Sequence, residues 1–191
     1  MANWASVRYR IEGKKNDLQE IYDQYQTLLS KKQSEKGNDK YVSESSMVDS
    51  LGIDYKKKTL RGNIIRCEFV GNSLSIEAEE DWVAVDFRHP LERHYDGMKI
   101  YYMLESYTDE TYATNDVEGK YFPTRVSVDY HLAEPVMAGY ERFNSMKEAL
   151  DYFARILKRD TLTIEDIDKW NQEHPWKDGF IYFNKFEVEQ Q

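Results

Sequence analysis

Residues 61–82, RGNIIRCEFVGNSLSIEAEEDW, constrain the fold more than any other part of this chain of 191 residues. They contain two runs of alternating apolar and polar residues joined by Gly71-Asn72, the pattern of a β-hairpin with a two-residue turn. A turn of this length fixes the register, so Ile65 is predicted to face Ala78 on an apolar face. Because a lone hairpin with one apolar face is not stable in water, other strands and helices are expected to cover it.

The residues before the hairpin predict a strand, a helix and a polar connection. Apolar residues alternate with polar ones over residues 3–12, the period of a half-buried strand. A 3.6-residue apolar period predicts an amphipathic helix over residues 16–31. The composition then becomes polar and charged, so residues 31–60 are predicted to be largely an exposed, mobile connection.

After the hairpin, a short helix is predicted to begin at Pro90, because proline suits the first turn of a helix. A strand with apolar residues on both faces is predicted over residues 98–107. The order strand, helix, strand, strand, short helix, strand over residues 1–108 is that of a ferredoxin-like sandwich. In that fold, helices cover one face of an antiparallel sheet, and the hairpin supplies the second and third strands.

Residues 109–191 are predicted to extend this core with further strands and a helix-helix-strand unit, packed on the same sheet. A strand over residues 122–132 is expected to pair with the strand at 98–107 as a long-looped hairpin. Capping boxes at Ser145 and Thr163 predict the two helices. A final strand is predicted over residues 180–188 after the Asp178-Gly179 turn. The sequence thus predicts an α+β protein.

The start Met1-Ala2-Asn3-Trp4, followed by a strand that ends at Gly13, resembles the YubB-like ferredoxin-like proteins, whose function is unknown. A helix, a hydrophilic connection and a hairpin that ends near a tryptophan, here Trp82, are also similar, so the resemblance covers residues 1–110. Ala5 stands where the family usually has cysteine, and no Pro-Pro pair follows Trp82. The resemblance implies the ferredoxin-like fold and a setting in bacterial plasmids, phages and other mobile elements, but no catalytic residues.

The charge and composition exclude several classes of function. A formal net charge of −9 and a pI near 5.0 argue against general affinity for nucleic acid or an anionic membrane. The single cysteine, Cys67, is expected to be a small buried hydrophobe. Neither a paired-histidine metal motif nor a phosphate-binding glycine motif occurs, so no metal or cofactor is predicted. With no apolar leader or span, a cytoplasmic location is expected.

The most promising polar residues for catalysis follow the hairpin. Asp86, His89 and His94 bring an acid and two potential bases into one short stretch, which is what general acid-base catalysis needs. A solvated loop and short helix with local ion pairs is the simpler interpretation of the same residues. The sequence alone does not show whether they share a cleft.

Aromatic residues suggest a binding surface instead. Tyr101, Met103 and Tyr107 share one face of the strand predicted over residues 98–107, which leaves an apolar patch unless another element covers it. Exposed aromatic patches suit protein interfaces, and Arg93 is added as a nearby candidate of a type enriched there.

The leading hypothesis is a non-enzymatic accessory module of a mobile element that binds a protein partner, with its oligomeric state left open. A first alternative is a small enzyme that uses the segment 86–94. A second alternative is an acidic decoy that presents carboxylates in place of DNA phosphates. The carboxylates proposed for the decoy are those of Glu77, Glu79, Glu80 and Asp81.

Overall fold

The computed structural model describes residues 4–36, 41–55, 60–81, 85–174 and 178–189. The chain divides into two compact units, Met1–Asp116 and Val117–Glu189. The boundary follows the strand at residues 111–114, so that strand belongs to the first unit. Both units combine helices with antiparallel strands, which confirms the predicted α+β class.

The first unit alternates strands and helices. Its elements in chain order are β1 (Trp4–Glu12), α1 (Lys15–Lys36), β2 (Val42–Ser43), α2 (Glu44–Ser50), β3 (Gly62–Val70), β4 (Ser73–Asp81), α3 (Arg88–His94), β5 (Lys99–Ser106) and β6 (Thr111–Thr114). The strands lie in the order β6-β5-β1-β4-β3-β2, and neighbours are antiparallel. Strand β1 therefore lies between β4 and β5.

The core of the first unit lies between the sheet and its helices. Strand β1 was predicted to be half-buried, with its apolar residues on the covered face. Those residues are fully buried: Ala5, Val7, Tyr9 and Ile11. They belong to one cluster with apolar residues of all three helices, among them Leu18 of α1, Met47 of α2 and Leu91 of α3. The alternation in β1 and the helical period in α1 thus meet in one core, as the sequence predicted.

The central hairpin has the predicted turn and most of the predicted register. Gly71 has a φ of +63°, a conformation that glycine adopts at little cost, and Val70 pairs with Ser73 next to the turn. The predicted pairing of Ile65 with Ala78 is wrong, because a β-bulge shifts the register and Ile64 takes that place. The Ile65 carbonyl instead accepts a hydrogen bond of 3.1 Å from the Tyr25 hydroxyl of α1. Trp82, the predicted end of the hairpin, lies outside the described residues.

This bulge gives two adjacent isoleucines different exposure to solvent. Ile64 is fully buried, whereas Ile65 is 43% exposed. We expect Ile64→Val to lower the free energy of unfolding by about 1 kcal/mol, because it removes a buried methyl group. The matched variant Ile65→Val should change it by less than about 0.5 kcal/mol. Urea denaturation measures both, and an equal loss in the two variants would contradict the bulge.

The connection predicted over residues 31–60 contains regular structure. Helix α1 continues to Lys36, and β2 and α2 occupy residues 42–50. Val42, Met47 and Val48 are fully buried, and the Ser43 side chain caps α2 by accepting from the Ser46 N–H. Only residues 37–40 and 56–59 of this connection lie outside the described residues.

The second unit has a sheet and a core of its own. Its elements are β7 (Val126–Leu132), β8 (Met137–Phe143), α4 (Met146–Ile156), α5 (Ile164–Glu173), β9 (Gly179–Lys185) and β10 (Glu187–Val188). The sheet order is β8-β7-β9, so the predicted pairing of residues 122–132 with residues 98–107 is wrong. Strand β5 pairs with β6 instead, because the four residues 107–110 suffice for a hairpin loop.

Ser145 and Thr163 cap the helices of the second unit as predicted, but only Thr163 forms the full capping box. Ser145 Oγ accepts from the Glu148 N–H at 3.1 Å, and the Glu148 carboxylate accepts from the Asn144 N–H at 3.0 Å. At α5, the side chain of Thr163 and that of Asp166 each accept from the other's backbone N–H. These local bonds satisfy donors at the two helix starts.

Candidate functional site

A cleft of about 460 Å³ lies beside α3 in the first unit. Of the described residues, Asp86, His89, Pro90 and Arg93 line it from the region of α3, and Asp54, Tyr55 and Leu60 line it from the segment that follows α2. Its walls therefore carry two carboxylates, one guanidinium group, an imidazole and a phenol beside apolar surface. This mixture suits a ligand or peptide that has polar and apolar parts.

Helix α3 positions the first wall. Pro90 and Leu91 are buried, which fixes the helix against the core. The residues at positions 90 and 93 are one turn apart, so Arg93 stands beside Pro90 on the same side of the helix. The His89 N–H donates to the Asp86 carbonyl at 3.2 Å, which holds Asp86 next to the first turn.

The second wall follows α2. The Ile53 N–H donates to the Val48 carbonyl at 3.2 Å and closes the chain back on the helix. The Tyr55 hydroxyl donates to the Ser45 carbonyl at 3.1 Å. Tyr55 is thus tied to the first turn of α2. Lys56, Lys57 and Lys58, which follow it, lie outside the described residues.

A buried pair of glutamates lies next to this region. Glu44, the first residue of α2, is 1% exposed, and Glu80 near the end of β4 is 2% exposed. Their carboxyl groups are hydrogen-bonded to each other. The Tyr9 hydroxyl of β1 donates to Glu80 Oε1. Three ionisable side chains from three elements are thus in contact inside the core.

Gly62 provides the space for Glu44. A Cβ atom at position 62 would be 2.3 Å from Cδ of Glu44, far inside van der Waals contact. The Gly62 N–H also donates to the Glu44 carboxylate. Any larger residue at position 62 would displace the carboxylate, and a buried carboxyl group without partners is costly.

Burial raises the pKa of both glutamates. For Glu44, loss of solvent raises the pKa to about 7, with a further contribution from the negative charge of Asp86. For Glu80, loss of solvent and then the charge of Glu44 raise the pKa to about 10. The pair therefore retains a proton at neutral pH. Burial likewise raises the pKa of the Tyr9 phenol, so Tyr9 stays a hydrogen-bond donor.

The structure brings three of the predicted site residues together. Asp86, His89 and Arg93 share the cleft. His94 is exposed and does not line the cleft. Its ring packs edge-on against that of Tyr95, with 4.7 Å between the ring centres. Of the predicted catalytic residues, Asp86 and His89 alone therefore have a cleft to act in.

The predicted aromatic patch is less exposed than its pattern indicates. Met103 is buried, and Tyr101 is half-buried. Tyr107 follows β5, is 53% exposed, and packs edge-on against Tyr112 at 6.2 Å. Only Tyr107 of the three thus offers a large exposed surface.

The carboxylates at the acidic end of the hairpin are also less exposed and less free of cationic partners than a DNA-mimicking decoy needs. Glu80 points into the core, and Asp81 lies 3.9 Å from Arg61. Glu77 lies 3.8 Å from Arg66 across the hairpin, in the predicted pairing. Among the described residues, only Glu79 of the four carboxylates is exposed and has no cationic side chain within salt-bridge distance.

Comparison with known proteins gave no assignment. No protein family, curated protein or solved structure matches this chain. The resemblance to the YubB-like proteins therefore stays a prediction.

The described part of the chain offers no metal site and no reactive thiol. No group of three or more histidine, cysteine, aspartate or glutamate side chains is placed there to hold a metal ion. Cys67 is buried, and loss of solvent raises the pKa of its thiol to about 12, which suits a structural role. Within the same residues, no helix is long and apolar enough to cross a membrane.

Sequence reasoning missed the glutamate pair, although one of its members had a signal. In β4 the apolar residues Leu74, Ile76 and Ala78 alternate toward the core, and the same period places Glu80 on that face. An acid at a core position of a strand indicates a buried partner or a function. Glu44 has no comparable signal, because its burial depends on how α2 docks.

Proposed function

We propose that this chain is a protein-binding module and that the cleft beside α3 holds part of its partner. The observation that carries the proposal is the convergence of Tyr55, Arg93 and Asp86 on one cleft. Tyrosine and arginine are the residue types that most often dominate binding energy at protein interfaces. The apolar surfaces of Leu60 and Pro90 between them add area that excludes water.

The cleft suits a polar segment of a partner that carries both charges. Asp54 and Asp86 attract a cationic side chain, and Arg93 attracts a carboxylate. The aromatic ring of Tyr55 can pack against the aliphatic part of a long side chain. A volume of about 460 Å³ holds a few side chains rather than a whole helix.

The finer fold and the biological setting belong to the same proposal. The strand order β5-β1-β4-β3, with α1 and α3 in the connections, supports a ferredoxin-like sandwich. The likeness of residues 1–110 to the YubB-like proteins supports a mobile-element protein. A cytoplasmic location is part of the same proposal.

Arg93→Ala tests the cleft as the binding surface. We expect the variant to bind its partner about tenfold more weakly, a change of about 1.4 kcal/mol, because it removes an exposed guanidinium group from the rim. The partner is first recovered from host lysate with the native chain and identified. Its affinity is then measured by calorimetry with purified proteins.

Tyr107→Ala provides the matched comparison on the other candidate surface. Its side chain is more than half exposed and does not line the cleft, so we expect its affinity to equal that of the native chain. Weaker binding by Tyr107→Ala with unchanged binding by Arg93→Ala would move the binding surface to the end of β5. No specific partner at any concentration would contradict the proposal.

A small enzyme is the second candidate, and one observation favours it. Asp86 and His89 line the same cleft, so a base and an acid are available to one bound molecule. A substrate turned over by the native chain and not by Asp86→Asn would support this candidate. Binding of a partner protein with unchanged affinity by Asp86→Asn would fit the enzyme better than the binding module.

A further inference from the structure

The contact between the two glutamates requires a proton. Two ionised carboxylates repel, so a hydrogen bond between Glu44 and Glu80 forms only while one of them is protonated. One carboxylate oxygen of Glu44, Oε1, is buried without a hydrogen-bond partner among the described residues. Full ionisation would therefore leave two negative charges in the core with few groups to stabilise them.

The groups around the pair do not offset a second charge. Tyr9 of β1 donates one hydrogen bond to Glu80, and the Gly62 N–H donates one to Glu44. Asp86, before α3, repels both carboxylates, so it favours the protonated state. Arg88 of α3 is close enough to lower the pKa of Tyr9, and its guanidinium carbon lies 5.0 Å from the centre of the Tyr102 ring. These groups face the pair from β1, β3 and the α3 region.

The pair is also connected to the cleft through the backbone. Glu44 begins α2, and the carbonyl of the next residue, Ser45, accepts the hydrogen bond from Tyr55. A displacement of Glu44 therefore moves the group that holds Tyr55 in the cleft wall. Met47 and Val48 keep the rest of α2 in the core, so the movement is confined to the first turn.

We propose that Glu44 and Glu80 form a latch closed by a shared proton, which holds the first turn of α2 and the Tyr55 wall of the cleft against the sheet. Loss of the proton opens the latch, because the two carboxylates then repel each other. A rise in pH is thus a signal to which this segment responds. The latch goes beyond the proposed binding function, and its test contains no binding partner.

Amide hydrogen exchange of the whole chain tests the latch. Exchange rates of the segment 44–55 are measured at about pH 6 and about pH 10 and divided by the intrinsic rates at each pH. We expect the protection of this segment to fall about tenfold between the two values in the native chain. Glu80→Gln should show a smaller fall, because glutamine cannot ionise and Glu44 alone still loses a proton. Equal protection at both values in the native chain would overturn the proposal.

Two controls distinguish opening of the latch from a pH-dependent loss of stability of the whole chain and from misfolding of the variant. Helix α4 of the second unit should keep the same protection at both pH values, since no part of the pair lies there. Carbon-13 NMR of the native chain reports the carboxyl groups directly and needs no variant. We expect one glutamate signal to titrate near neutral pH. Titration of every glutamate near the ordinary pKa of its carboxyl group would also overturn the proposal.

Discussion

The free energy of unfolding is expected to fall by roughly 3 kcal/mol between about pH 5 and about pH 7, because the folded chain holds a proton that the unfolded chain has lost. The ordinary pKa of a glutamate is 4.5, whereas burial raises that of Glu44 to about 7 and that of Glu80 to about 10. Above the ordinary pKa, the folded state binds more protons than the unfolded state. The contribution of these two groups to the free energy of unfolding is therefore largest below about pH 4.5, and it declines as the pH rises through their raised pKa values.

Glu80→Gln separates this effect from all other titrating groups. The variant keeps the size of the side chain and leaves Glu44 as the one ionisable member of the pair, so we expect its stability to fall about half as much over the same pH range. Urea denaturation followed by circular dichroism measures both proteins at each pH. The control Glu79→Gln alters the exposed neighbour on the other face of β4, and it should reproduce the native pH dependence. A native chain whose stability rises from pH 5 to pH 7 would contradict a shared proton.

Phe153→Ala is expected to lower the free energy of unfolding of the second unit by about 3 to 5 kcal/mol. Phe153 of α4 is fully buried and is the centre of its aromatic core. Its ring centre lies 5.1 Å from that of Tyr130, 5.2 Å from Tyr152, 5.7 Å from Phe183 and 6.4 Å from Phe143. Truncation leaves a cavity among four rigid rings, which cannot collapse around a methyl group.

Amide exchange of β7 and α4 in the intact chain measures this loss without assuming that both units unfold together. The matched control is Tyr182→Ala on β9, which removes an aromatic ring that is 49% exposed. We expect its effect to stay below about 1.5 kcal/mol, mainly through lost stacking on Phe180 at 5.2 Å. Equal losses in the two variants would mean that Phe153 does not organise this core.

Local signals in the sequence were sufficient for most of the secondary structure. The Gly71-Asn72 turn, the alternation in β1 and the helix caps at Ser145 and Thr163 each depend on residues a few positions apart. Such patterns act through backbone sterics and neighbouring hydrogen bonds, so they can be read without the fold.

The errors arose where a distant residue decided the local structure. The bulge at Ile65 is accompanied by a hydrogen bond from Tyr25, forty positions earlier in the chain, and no pattern within β3 indicates it. The strand at residues 122–132 found its partners in β8 and β9, because a second core formed within the second unit. Periodicity shows which face of a strand is apolar and leaves the partner open.

The candidate site was predicted in part. The segment 86–94 was recognised as a polar constellation, and it lines a cleft. Its opposite wall, Asp54 and Tyr55, was assigned to an exposed connection, because the hydrogen bond to Ser45 depends on the docking of α2. The sequence showed the residues of one wall and could not show that a second wall faces them.

The close contact between Gly62 and the Glu44 carboxyl group has a consequence for the evolution of this chain. A homologue that keeps acids at positions 44 and 80 must also keep glycine at 62, since a Cβ atom there would occupy the carboxyl site. A homologue with a small apolar residue at 44 is released from that requirement. We therefore expect these three positions to vary together, as a signature by which proteins with the same buried pair can be found from sequence alone.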